Sequence, residues 1–305
     1  MKNFKYKQIL YAGRRIVKPL FIFMGKHCYL PQHQPRVLDM DATLNILLTG
    51  SQNLCRFGDG ELKWIYHLPQ NSFQQYDPGM SKRLKEIIHS DRPDVLIGIP
   101  DIFGNMSAKT DDDQNFWWYT MAGQRMLWLR LLTPRRKFYY NAEVTRCYMS
   151  VRNKSDCAGY FRKWKKLFSG KSLLLIEGCD TRFGIGNDLL QDAADIHRIL
   201  IPSENAYQSY ESILNTVLHL YVKDQLVLAA AGPTATILCY DLSLQGIRAI
   251  DIGHLDIEYE WFLRKAKERI IIPGKYINEL SQYGGRTVSP ISDLRYESQI
   301  IARID

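Results

Sequence analysis

Apolar positions along this chain fall into two patterns: short unbroken runs, and longer stretches where they recur every third or fourth residue. Leu173-Leu174-Leu175-Ile176, Arg198-Ile199-Leu200-Ile201, Leu226-Val227-Leu228-Ala229-Ala230 and Arg248-Ala249-Ile250-Asp251-Ile252 have the length and composition of buried strands. Helical spacing separates them, most clearly over Tyr207–Tyr221 and Thr234–Gln245. In the first half, a helix at Leu44–Leu48 leads to the run Leu54-Cys55-Arg56-Phe57. Leu62, Ile65, Tyr66 and Leu68 then keep helical spacing as far as Pro69. Asp94–Pro100 and Lys137–Tyr140 read as further strands. Asn115–Leu132 reads as a long helix whose Phe116, Trp117, Tyr119, Met126 and Trp128 are expected in the core rather than on a ligand-stacking surface, with Pro134 blocking its extension. Strands alternating with helices predict an α/β, Rossmann-like fold: a mostly parallel sheet with helices on both faces. In such sheets ligands bind beyond the carboxyl ends of the strands.

Composition adds a boundary and a compartment. The chain has 305 residues and a formal net charge of +8. Lys2, Lys5, Lys7, Arg14, Arg15, Lys18, Lys26 and Arg36 precede the first acid, Asp39, and account for the whole excess. Residues 1–38 therefore read as a basic amphipathic segment and residues 39–305 as the folded domain. The segment interleaves Ile9-Leu10-Tyr11 and Pro19–Met24 with its charges. This pattern suits peripheral contact with an anionic cytoplasmic leaflet, and equally a flexible basic tail or a helix packed on the domain. Pro19–Met24 is too short to span a bilayer. A basic patch can also signal nucleic acid, but no nucleic-acid motif accompanies it, so none is expected as a partner. The six cysteines are scattered without a Cys-x-x-Cys pair, which suits reduced thiols in a cytoplasmic protein rather than a disulfide framework or zinc site.

Candidate chemistry gathers where apolar runs end. In Arg56-Phe57-Gly58-Asp59-Gly60-Glu61 the glycines permit a tight turn and close approach of a ligand. Asp59 and Glu61 offer the hard oxygen ligands a divalent cation needs, and Arg56 offers paired donors to an anion. The same acids would also suit a solvated helix N-terminus. Thr181-Arg182-Phe183-Gly184-Ile185-Gly186-Asn187-Asp188 follows a strand, and its glycines would let successive amides face an anion where a helix opens, with Arg182 adding charge. A plain turn capped by Asn187 or Asp188 is the competing reading. Without a full Gly-x-Gly-x-x-Gly, a nicotinamide cofactor is not expected. Gly232-Pro233-Thr234-Ala235-Thr236 is a second strand-to-helix turn, in which Thr234 caps the helix or meets a nucleotide or sugar hydroxyl. Lys163-Trp164-Lys165-Lys166 reads as a solvated helix turn. After Arg248–Ile252 come His254, Asp256, Glu258 and Glu260. Glu258, beside Trp261 and Phe262, is the first choice for a partly desolvated general base, with His254 and Glu260 as alternatives or as added metal ligands.

Four of these segments, in this order, resemble the GT-D type glycosyltransferases: Arg56–Glu61 with the family's Asp-x-Glu, Glu177–Leu189, Gly232–Thr236 and Asp251–Trp261. The resemblance runs from about residue 50 to the end of the chain. It implies a metal-dependent hexosyl transfer from a nucleotide sugar, UDP-glucose or UDP-galactose, to a glycan acceptor that is lipid-linked or on a protein, in surface polysaccharide or glycoprotein glycan synthesis. Asp59 and Glu61 would hold Mn2+ or Mg2+. Arg56, Gly58, Arg182, Gly184, Gly186, Asn187, Gly232 and Thr234 would line the donor, and Glu258, His254 or Glu260 would take the acceptor proton. A different Rossmann-like nucleotide enzyme and a non-catalytic glycan-assembly partner are the alternatives.

Overall fold

The computed structural model describes residues 17–28, 34–70, 73–133, 136–285, 288 and 293–305. Eight parallel strands form one sheet: β1 (Asn53–Arg56), β2 (Val95–Ile99), β3 (Tyr140–Asn141), β4 (Ser172–Gly178), β5 (Asp195–Ile201), β6 (Leu226–Ala230), β7 (Ala249–Asp251) and β8 (Ile300–Arg303). Their order across the sheet is β3-β2-β1-β7-β6-β4-β5-β8. The expected parallel α/β sheet is thus present. Its C-terminal edge strand β8 escaped the sequence pattern because only alternate residues of Ile300–Arg303 are half-buried.

Alternation along each strand sorts the core into two layers. Cys55, Ile97, Leu174, Ile176, Val227 and Ala249 point to one face. There they meet α2 (Asp59–Ile65), α3 (Pro78–Ile88), α4 (Asp111–Leu131), α6 (Tyr210–Leu220) and α7 (Pro233–Leu244). Leu54, Leu96, Leu173, Leu175, Leu228 and Ile250 point to the other, against α1 (Met40–Thr49), α5 (Lys154–Phe168) and α8 (Leu255–Leu263). The short α9 (Leu294–Gln299) precedes β8. Helix starts follow local chemistry: Asp39 accepts from the Ala42 amide at 2.7 Å, and Asp77 from the Met80 amide at 2.8 Å just ahead of Pro78.

Three sequence expectations change. The long helix begins earlier, at Asp111, because Thr110 caps it and three aspartates favour its N-terminus. Its aromatic stripe divides: Trp117, Trp118 and Trp128 are core, whereas Phe116, Tyr119 and Met126 are exposed. The Lys163–Lys166 turn is not wholly a solvated face, since Trp164 is fully buried between lysines that pair with Asp41 and Asp188. Lys2 to Arg15, Ile9–Tyr11 and Pro134 lie outside the described residues. Residues 17–27 are helical, and no described helix is long and apolar enough to cross a membrane.

The β4–β5 crossover is unusual for this architecture, because residues 179–194 contain turns and no helix. A buried ion pair between Glu177 and Arg198 ties the two strands, and Glu177 also accepts from the Phe183 amide at 2.7 Å. At the centre, β7 pairs with β6 over three residues but with β1 only at Leu54–Ile250. The Asn53 side chain reinforces that seam, accepting from the Ala249 amide at 2.6 Å and donating to the Asp94 carbonyl at 3.2 Å.

Candidate active site

The carboxyl ends of β1 to β7 open into a cavity of about 940 Å3. Its wall carries the carboxylate turn at Arg56–Glu61, the β6–α7 turn at Gly232, and Asp251, Gly253 and His254 after β7. A cleft where strand order reverses is the expected ligand site of an open parallel sheet.

Asp59 and Glu61 sit in the first turn of α2. Glu61 folds back so that its Oε2 accepts from the Gly58 amide at 2.7 Å, satisfying a helix-end donor. Burial pushes its carboxyl up to about 7, although that hydrogen bond pulls the other way. Asp59 pairs with Lys63 at 2.5 Å and keeps about a third of its side chain exposed. Both carboxylates face the cavity, so the pair offers two hard oxygen donors at its wall. Among the described residues no group of three or more His, Cys, Asp or Glu converges as a metal cage. Any cation held by this pair would draw its remaining ligands from water or a bound phosphate.

Arg56 is already engaged within the protein. Its guanidinium donates to the Asp251 carbonyl at 3.0 Å, the Asp251 carboxylate at 2.7 Å and the Ala142 carbonyl at 3.1 Å. Asp251 also accepts from Thr236 at 3.3 Å and from the Gly253 amide at 3.2 Å. The arginine therefore locks the ends of β1, β3 and β7 together rather than presenting a free fork to an anion. Gly253 makes room for it: a Cβ there would lie 1.9 Å from an Arg56 nitrogen.

The turn after β4 holds an anion, but the anion belongs to the protein. The Gly184 amide and the Asn187 side chain donate to Asp256 at 2.9 and 2.8 Å, and Asn187 donates to Glu260 at 2.8 Å. Lys275 meets Asp256 at 2.5 Å and Glu260 at 3.4 Å. Arg182 donates to the Gly274 carbonyl at 2.8 Å. Gly184 and Gly186 take φ of +74° and +81°, as a tight turn requires, but no helix opens there. Arg182, Gly184, Gly186 and Asn187 thus lie outside the cavity wall, with Gly184 and Asn187 bracing α8, while Thr181 and Phe183 from the same turn do line it.

Glu258, the first-choice base, is corrected by its surroundings. Its carboxylate accepts from the Tyr148 and Met149 amides at 2.9 and 2.7 Å, and the residue is 1 % exposed, behind the wall. Burial raises its proton affinity, as a base requires, yet Glu258 does not line the cavity, and its second oxygen, Oε1, is buried without a hydrogen-bond partner. Glu260 is likewise buried among Asn187, Lys275 and Arg264. Thr234 is fully buried in α7 and off the wall, whereas Gly232 lines it with φ +55°. A Cβ on Gly232 would strike the Phe73 ring at 2.4 Å.

His254 does reach the cavity. Its Nε2 lies 3.3 Å from Glu279, which pairs with Arg146 at 2.7 Å. Burial, helped by Arg146, Arg56 and Arg269, pushes the imidazole down to about 4 against the pull of Glu279. Burial alone would raise Glu279, but His254 and Arg146 outweigh it and hold the carboxyl at about 2. Sequence reasoning missed Arg146, Glu279, Phe73 and Tyr276, all on this wall. Their segments are irregular and carry no motif; only Asp251, ending an apolar run, stood where a strand-end rule would find it.

Similarity to known proteins identifies the family. The chain is 36% identical over 276 residues to a probable glycosyl transferase, Gly, of Streptococcus gordonii, and 32% identical over 272 residues to glycosyltransferase GlyD of Streptococcus pneumoniae serotype 4. The matches cover 90% and 88% of this chain but only 39% and 32% of those proteins. A solved structure described as domain of unknown function 1792, with a distinct glycosyltransferase fold, superposes with TM-score 0.84 at 32% identity, covering 90% of this chain and 97% of that one. A glycosyltransferase of the same domain type from Streptococcus sanguinis superposes equally, at 34% identity over 89% of this chain and 100% of that one. Matched over residues 54–280 by the model for that fold, the chain belongs to the glycosyltransferase GT-D fold family.

Proposed function

We propose that this chain is a metal-dependent glycosyltransferase that moves a hexose from a nucleotide sugar, UDP-glucose or UDP-galactose, to a glycan acceptor in surface polysaccharide or glycoprotein glycan synthesis. The observation that carries the reading is the convergence, on one cavity at the strand ends, of the Asp59/Glu61 turn, the Gly232 turn and the His254–Glu279–Arg146 cluster.

Asp59 and Glu61 would hold Mn2+ or Mg2+, which when bound neutralises charge on a departing diphosphate. The remaining work falls to the protein. Arg56 keeps Gly58 and Asp251 in register beneath the site. Gly232 lets the chain pass against Phe73, whose ring on the wall is a stacking surface for a base or sugar. His254 is neutral near pH 7, so it can accept a proton, and Glu279 beside Nε2 favours the tautomer with Nδ1 as acceptor. Of the three candidate bases His254 alone lines the cavity, and this position, not its proton affinity, which burial weakens, is what makes it our choice to take the acceptor hydroxyl proton. The work would take place at the cytoplasmic side of the cell membrane, where the basic N-terminal segment supports peripheral contact.

Calorimetric titration of UDP, with and without manganese, into wild type and an Asp59→Asn/Glu61→Gln double variant tests the reading. Manganese-dependent binding should appear in wild type and vanish in the variant. Metal-independent binding left unchanged in the variant would remove these carboxylates from the site, and no UDP binding at all would sink the donor assignment.

A further inference from the structure

The helix over residues 17–27 is seated on α4 by a close backbone contact. Gly25 is its sole buried residue; a Cβ there would lie 1.8 Å from the Trp118 carbonyl oxygen. Arg125 donates to the Gly25 carbonyl at 3.0 Å, and the Phe21 and Tyr119 rings meet at 5.7 Å. Much of what this seat leaves outward is apolar. Val17, Leu20, Phe23 and Met24 are exposed, Leu20 and Phe23 by 56% and 58%. Beside them, at helical spacing on α4, Phe116, Tyr119 and Met126 are also exposed. Single exposed apolar residues need no explanation, but a contiguous set does.

Charge says what covers this set. Lys18 and Lys26 are exposed on the same helix, and Arg130 follows Met126 one turn on. In the sequence, five more cations lie at residues 2–15 and no acid precedes Asp39. The acid on the α4 stripe, Asp112, sits at its other end, on the cavity wall. We infer that the two rows form one docking face for an anionic lipid surface, with the rings in the interface and the lysines at the phosphates. Self-association through this face would instead crowd the cationic segments of two copies together. Resting on the proposed function, the inference has a consequence for the acceptor: Phe116 also lines the cavity, so docking brings the cavity mouth to the headgroups, within reach of a lipid-borne glycan.

The test uses the full chain and vesicles of phosphatidylcholine alone or mixed with phosphatidylglycerol. Leu20→Glu/Phe23→Glu and, separately, Met126→Glu alter the face without touching the cavity wall. Wild type should bind the anionic vesicles alone, more weakly as salt rises, and each variant should lose about tenfold or more in affinity. UDP titration on the same samples reports folding and the donor site independently. Vesicle binding in this pattern supports the face even without UDP binding, in which case the functional reading alone fails. Absence of wild-type binding, equal binding to neutral vesicles, or variants that bind as wild type does would overturn the face. So would a variant that merely turns a dimer into a monomer.

Discussion

Arg56 was legible in the sequence as a cation beside a glycine turn, but its task was not. Nothing in a run of letters shows that residue 251 will arrive beside residue 56 with a carboxylate and a carbonyl. The arrangement predicts that Arg56→Ala costs about 3 kcal/mol or more, because it strands the nearly buried Asp251 charge. Arg56→Lys should recover only part, since one ammonium cannot meet both Asp251 groups and the Ala142 carbonyl. Denaturant unfolding of the three proteins measures both. His254 supplies a second residue-scale prediction. Its folded pKa of about 4 lies below the ordinary 6.5, so the unfolded chain takes up the proton first as pH falls. The His254 contribution is therefore full above about 6.5 and declines toward pH 4, by about 1–3 kcal/mol for this partly enclosed group, while Glu61, raised to about 7, acts in the opposite sense over the same window. Glu279, depressed from 4.5 to about 2, adds a further loss below pH 4.5. The difference between wild-type and His254→Asn unfolding curves should show the upper limb lost and the lower one reduced, because His254 is the largest of the charges that hold Glu279 down.

Elements with period and length were readable; elements made by tertiary contact were not. The apolar runs announced β1, β2 and β4 to β7 because both faces of a central parallel strand are buried. The turn after β4 was read for its glycines as the start of an anion-binding helix. Those glycines do aim an amide at a carboxylate, but at Asp256 of α8, and only the fold reveals that partner. Glu258 shows the same limit: its aromatic neighbours in sequence suggested a desolvated base at the site, whereas the fold sets it behind the cavity wall with the amides of residues 148 and 149 on its Oε2. The short turn between β7 and α8 carries the element-scale prediction. Gly253 combines φ +42° with the space Arg56 occupies. Gly253→Ala should therefore destabilise the protein by about 2 kcal/mol or more and weaken UDP binding, read from melting and titration of one sample.

At the scale of the molecule, the order β3-β2-β1-β7-β6-β4-β5-β8 divides the sheet into an N-terminal wing of three strands and a wing made later in the chain. The alternating pattern could predict parallel strands but not this order, since strand neighbours as far apart in sequence as Leu54 and Ile250 leave no local mark. β7 alone joins the wings, touching β1 through Leu54–Ile250 and β6 through three residue pairs. During synthesis, then, the two wings share no sheet hydrogen bond until residue 249 and its neighbours have emerged. Arg56 must wait for Asp251 over that whole interval, and the cavity floor forms from partners of very high sequence separation, a condition that makes folding slow. The seam that places the carboxylate turn beside His254 therefore closes late, with only the edge strand β8 still to be made.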